Sequence, residues 1–170
     1  MVRLGYLIGI MTILSIISCS RIFSDDIISI KRKLNSSNKL KLEGYFFEET
    51  FGVRTCYFLY QNGIILNNNY EIIPFEEREK IYTDQAYISK IQTIKFSWGL
   101  YEIENDVIRF ERWYPGDIPY RTTISEGKII NDSTFIITRS YKGKHERERN
   151  EVYKFRAFSP KPDSTNRYIR

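Results

Sequence analysis

The sequence predicts a mainly β fold: an antiparallel meander closed into a barrel of about eight strands, carrying one helical insertion. Three observations lead there. Residues 98–158 run in short segments of alternating apolar and polar positions, rich in β-branched and aromatic residues and broken by tight polar turns. The chain holds 13 Tyr, 11 Phe and 2 Trp in 170 residues, a load that suits half-buried sheet faces because tyrosine packs a ring and keeps its hydroxyl wet. Residues 74–91 alone break the two-residue period and read as helix. Strands in such number must hide their edges, and closure does so; a β-sandwich or a half-open barrel is the alternative.

In chain order, residues 40–47 open the domain. Leu40 and Leu42 alternate with Lys41 and Glu43, and Tyr45-Phe46-Phe47 is then apolar on both faces. Gly44, inside this run, predicts a bulge or bend. Residues 53–60 form the second strand, and Asn62-Gly63 supplies a hairpin turn. Residues 63–66 return as the third strand, which Asn67-Asn68-Asn69 ends. In the helical stretch, Pro74 suits the first turn and Glu76 and Glu77 suit the positive end of the helix dipole. Ile81, Ile88 and Ile91 share a face, and Thr83-Asp84 is where the stretch can split in two. A helix inserted between the third and fourth strands lies where a barrel mouth is expected, as a lid or plug. Further strands are read at 98–103, 107–114, 120–124, 129–130, 134–141 and 152–158. Polar turns separate them, among them Pro115-Gly116-Asp117 and Ser125-Glu126-Gly127-Lys128, and a charged loop precedes the last. Residues 159–170 read as a polar, Pro-broken, mobile tail.

The N-terminus carries a separate signal. Arg3 precedes an uncharged apolar run at residues 4–17, too short for a typical spanning helix. Ile16-Ile17-Ser18-Cys19 follows, and it resembles a bacterial lipobox: a branched apolar residue, a permissive one, a small one, then cysteine. The resemblance implies a lipoprotein signal peptide at residues 1–18, lipidation (diacylglyceryl, with a palmitate-type acyl chain) at Cys19, and cleavage before it. An ordinary secretory leader or a single-span anchor is the other reading. Two or three acyl chains anchor a protein stably where one does not. Ser20 after the cysteine resembles the sorting signal for the outer membrane, so the implied location is the bacterial cell envelope. Residues 19–38 then read as a solvated tether, residues 39–158 as the barrel domain and residues 159–170 as the flexible tail.

The layout of residues 39–158 resembles small bacterial outer-membrane lipoproteins with a lipocalin-like (calycin) barrel. Segments such as Trp98-Gly99-Leu100-Tyr101 and residues 127–137 carry the likeness. Where lipocalins have Gly-x-Trp in the first strand, this chain has Gly44-Tyr45-Phe46. The resemblance implies a binding protein rather than an enzyme, holding a small amphiphile or anion.

The residues themselves set further bounds. Net charge is +5, with bases scattered among acids, a pattern of solubility and not of nucleic-acid binding. His145 is the only histidine, so neither a His-based triad nor a multi-histidine metal site can be built, and no cofactor is implied. Cys56, mid-strand, reads as a buried, inert thiol, and with Cys19 lipidated no disulfide framework remains. A carboxylate pair across strands, Glu102 with Glu111, is the remaining route to hydrolysis. The positive signal is arginine on strands. Phe110, Arg112 and Tyr114 share one strand face, and Ile137, Arg139 and Tyr141 share another. If Phe110 and Ile137 face the core, both arginines follow them inward unless a bulge shifts the parity. Beside Tyr153 they make a candidate anion site: Arg112, Tyr114, Arg139, Tyr141 and Tyr153. The alternative is that both arginines sit at the wet barrel rim. The expected function is a membrane-anchored binding lipoprotein; the alternative is an interaction or inhibitor module of the envelope with a filled barrel.

Cys19→Ala is expected to release the protein from membranes and leave the precursor uncleaved. Metabolic labelling with palmitate checks this, and unchanged labelling in the variant sinks the lipobox reading.

Overall fold

The computed structural model describes residues 24–116 and 119–169; residues 1–18, expected to be a lipoprotein signal peptide, and Cys19 lie outside them. Eight antiparallel strands close into one barrel in chain order, so the meander is present and neither a sandwich nor a half-open barrel forms. They are β1 (Gly44–Thr50), β2 (Val53–Leu59), β3 (Ile64–Glu71), β4 (Trp98–Glu104), β5 (Val107–Trp113), β6 (Thr122–Asn131), β7 (Thr134–Lys142) and β8 (His145–Ala157). Closure is through β1 and β8, where Gly44 faces Ala157 and Phe47 faces Lys154. Between β3 and β4 lie α1 (Phe75–Tyr82), α2 (Gln85–Ile91) and a single 3-10 turn at Lys95–Ser97. The split falls at Thr83-Asp84 because Asp84, with extended backbone, caps α2 by accepting a hydrogen bond from Tyr87 N at 2.9 Å.

Three local expectations are corrected. Asn67-Asn68-Asn69 continues β3 and does not end it, because these residues pair with Tyr57, Cys56 and Thr55 of β2. Cross-strand pairing here overrides the low strand propensity of asparagine. Ser125-Glu126-Gly127-Lys128, expected as a turn, is the middle of β6, with a register shift between Glu126 and Gly127. The charged loop before residue 152 is strand too: β8 starts at His145, directly opposite Lys142.

Tyr45-Phe46-Phe47 is apolar on both faces because both faces of the barrel wall are covered. Inside, every strand contributes to one cluster that includes Phe46, Tyr57, Ile65, Tyr101, Phe110, Ile129, Phe135 and Tyr153. Tyr57 of β2 reaches Phe110 of β5 across the lumen, with ring centroids 4.8 Å apart, and Phe135 stacks on Tyr153 at 5.0 Å. An eight-stranded barrel has just enough room for such a filling. Outside, Tyr45, Phe58, Leu66, Trp98 and Trp113 form a second cluster, covered by Ile30, Tyr82, Ile91 and Ile169. The helices therefore lie on the outer wall and not in the mouth: the Tyr82 ring meets Tyr45 at 5.8 Å and Phe58 at 5.0 Å. Tyr45 Oη donates to Glu79 Oε1 at 2.9 Å.

Of the segments expected to be a solvated tether and a mobile tail, the described parts, residues 24–38 and 159–169, are packed. Ser29 N and Oγ each donate to Glu111 Oε2 at 2.7 Å, and Ile30 N donates to the same oxygen at 3.1 Å. Asp26 accepts from Arg121 Nη1 at 2.9 Å and Thr122 N at 3.0 Å, while its carbonyl accepts from Trp113 Nε1 at 2.8 Å. Lys95 holds the Asp25 carboxyl below the usual carboxylate range. In the tail, Tyr60 Oη donates to Pro162 O at 2.7 Å, and Lys161 Nζ donates to Leu42 O at 2.6 Å and Leu59 O at 3.1 Å. A tether and a tail laid over an apolar wall remove that wall from water, a gain that free solvated segments would forgo.

Phe135 is fully buried between Tyr153 and Phe46. Phe135→Ala is expected to destabilise the domain by about 3–5 kcal/mol, read from urea unfolding. Burial also raises the phenol pKa values of Tyr45, Tyr60, Tyr82, Tyr101 and Tyr153 above their ordinary 10.0. Their stabilising effect is complete below pH 10 and declines above it, where the unfolded phenols ionise and the folded ones do not, by about 1.4 kcal/mol per pH unit for each ring. The part of the 295 nm tyrosinate absorbance that comes from the buried rings should therefore rise together with the loss of far-UV circular dichroism, above pH 10. Ionisation of all tyrosines within an intact barrel would contradict this packing.

Candidate functional site

β3 outruns β4. Their pairing covers only Ile64 with Leu100, Ile65 with Gly99 and Leu66 with Trp98, so Asn67 and the residues after it have no partner on that side. The chain between α2 and β4 skirts this gap. The result is a lateral cleft of about 530 Å³ near one end of the barrel, a volume in the usual range of small-ligand pockets. Asn67, Asn68 and Asn69 form one side. Tyr87, Lys90, Ile91, Ile94, Phe96 and Ser97 form another, and Arg112, Tyr114 and Pro115 close it.

Arg112 reaches this cleft by the parity expected of it. It sits two residues beyond Phe110 on the inward face of β5, opposite Gly99 on one side and Thr123 on the other. Gly99 leaves the room it needs: a Cβ there would stand 2.8 Å from Arg112 Cβ and 2.3 Å from Glu111 O. Arg112 is half-buried and has no hydrogen bond or ion pair among the described residues. Lys90 is the second cation of the lining, and among the described residues the lining holds no carboxylate. Two polar atoms nearby are buried without partners. They are Asn67 Oδ1, on a residue only 5% exposed, and Thr123 Oγ1, on the residue across the ladder from Arg112. The cleft thus offers uncompensated positive charge, an unpaired amide oxygen, and apolar surface from Ile91, Ile94 and Phe96.

Of the predicted site residues, the structure brings Arg112 and Tyr114 together and disperses the rest. Tyr114 is 41% exposed, at the cleft edge, with Lys142 Nζ 4.2 Å from its ring centroid. Arg139 and Tyr141 do not point inward. The ladder slips between Ile137 and Arg139, so Arg139 pairs with Glu126 and Glu148 and its side chain faces solvent. There it is bonded to Glu126 and lies 4.0 Å from Glu146. Ser140, not Arg139, takes the buried position. Tyr153 is inward but belongs to the packed filling, 2% exposed, with its ring 5.0 Å from Tyr57.

Glu102 and Glu111 do not pair. Leu100 faces Glu111, and Glu102 faces Arg109. Glu102 is engaged by Lys33 at 3.2 Å and Arg109 at 3.6 Å, and Glu111 by the Ser29 and Ile30 donors. Cys56 is fully buried, 3.0 Å from Tyr70 Oη, and burial pushes its thiol up to about 11, which keeps it unreactive. Asn67 is the site residue that sequence reasoning missed, because the asparagine run looked like a turn. The signal available was parity: Asn67 is two residues beyond the buried Ile65. Compared with protein-family models, curated proteins and solved structures, the chain matches none.

Proposed function

We propose that the chain is a membrane-anchored, non-enzymatic binding lipoprotein of the bacterial cell envelope, held through Cys19, that takes a small anionic amphiphile. The ligand enters the lateral cleft beside β3 and not the lumen, whose space is taken by rings. The observation carrying this reading is Arg112: a half-buried guanidinium that has no hydrogen-bond or ion-pair partner among the described residues, in a cleft whose described lining has a lysine and no acid. Desolvating such a cation is costly unless it meets an anion or water, and a guanidinium fork matches a carboxylate in geometry. Ile91, Ile94 and Phe96 supply the wall for an apolar portion.

One observation favours the alternative, an interaction module of the envelope. Phe51, at the β1–β2 tip, is 100% exposed with φ of 53°, and Val53 and Ile72 beside it are 41% and 43% exposed. Native mass spectrometry of protein purified from its own envelope separates the two, as a small carried mass against a bound polypeptide. The direct test is ligand-linked stability with octanoate as probe. At a hundredfold excess over Kd, a site of this kind adds about 2.7 kcal/mol to the folded state. The melting temperature should rise in the wild type and in Arg139→Ala, and not in Arg112→Gln. Equal shifts in all three proteins, or none in any, refute the anion site.

A further inference from the structure

We infer that the anion taken by this cleft is a hydroxy-carboxylate, its hydroxyl bonding the Asn67 side-chain amide while Arg112 holds its carboxylate. The inference rests on the anion-binding reading above and adds the second polar feature of the ligand.

The ground is the unpaired amide. Asn67 is 95% buried by exposure, faces the cleft, and its Oδ1 has no partner. Pairing to Tyr57 fixes its backbone, and the absence of a β4 partner leaves its side chain as the wall of the gap. Burying an amide oxygen unpaired costs about 1–3 kcal/mol, so such a group is retained where something in the bound state completes it. No described donor on the wall bonds it: Asn68 donates to Tyr87 Oη instead, and Ile91, Ile94 and Phe96 have no side-chain donors. Arg112 lies on the next strand but one, in the row of Ile65 and Gly99, and Asn67 is two residues beyond Ile65 on the same face, so both reach the cleft. A ligand that carries both a donor and a carboxylate can meet the amide and the guanidinium, since both line the one cleft. A hydroxyl is the group of choice because it donates to the amide oxygen without bringing a positive charge beside Arg112 and Lys90. An aromatic or short aliphatic end on the same molecule meets Ile94 and Phe96.

The test compares two probes that differ only in the hydroxyl, 3-phenyllactate and 3-phenylpropionate, by calorimetric titration of the full-length chain in detergent. The wild type is expected to prefer the hydroxylated probe by about tenfold or more, because a site built to bond a hydroxyl rejects the analogue lacking it. Asn67→Leu should bring the two affinities within about twofold by weakening phenyllactate alone, and Asn67→Ala should do the same should the leucine variant fold poorly. Arg112→Gln should abolish binding of both probes. Equal wild-type affinities with loss of both in Arg112→Gln overturn the hydroxyl inference and leave the anion site standing. No binding of either probe to the wild type overturns both. A hydroxyl preference that survives in the Asn67 variants places the donor contact elsewhere and overturns the assignment of Asn67.

Discussion

The ring packing in the lumen is the constraint on which the rest of this structure depends. Eight strands enclose a space that a few aromatic side chains fill, and Tyr57, Phe110, Phe135 and Tyr153 fill it. Their contacts join β2 to β5 and β7 to β8, so the filling ties strands distant in the ladder as well as neighbours. A barrel packed in this way has no room for a central ligand. Any binding capacity must come from its wall or its rim.

The wall is used in an unusual proportion for structure. The outward faces of β1 to β5 are apolar, and they are covered by α1, by the segment from Ile28 to Ile30 and by the tail ending near Ile169. Charged groups fasten these covers. Glu111, only 2% exposed, collects three donors from Ser29 and Ile30, and Asp26 collects three groups from β5 and the start of β6. Arg54 and Arg156 are likewise committed, to Glu49 and to Glu79. Arg112, by contrast, has no hydrogen-bond or ion-pair partner among the described residues, and its half-burial makes it more than a surface cation.

The cleft beside Arg112 follows from a length mismatch. β2 and β3 pair as far as Val53 with Glu71, but β4 leaves β3 after Leu66. The helical insertion spans the missing rungs, and α2 with the turn after it becomes one wall of the resulting gap. The same asparagines that continue β3 by pairing to β2 therefore line the gap on the other side, where Asn68 meets Tyr87 and the Asn67 amide oxygen stays unpaired. Strand pairing, helix placement and the unpaired Asn67 amide meet at this one point.

The sequence by itself determined the period-two strands, the Asn-Gly hairpin, the place where the helical stretch can split and the fact that Arg112 shares the face of Phe110. Each is decided by neighbours within a few residues: side-chain alternation, a turn dipeptide, a capping aspartate. Tertiary structure decided the rest. Arg139 shares its pattern with Arg112, yet the slip between Ile137 and Arg139 turns it outward, and a one-residue slip leaves no mark in composition. Asn67 reads as turn chemistry until Tyr57 is placed opposite it. The polar segment around Ser29 reads as a linker until Glu111, 82 positions away, supplies its acceptor. The physical reason is common to all three: a long-range pairing, set by closure of the barrel, outweighs local propensity wherever that propensity is weak.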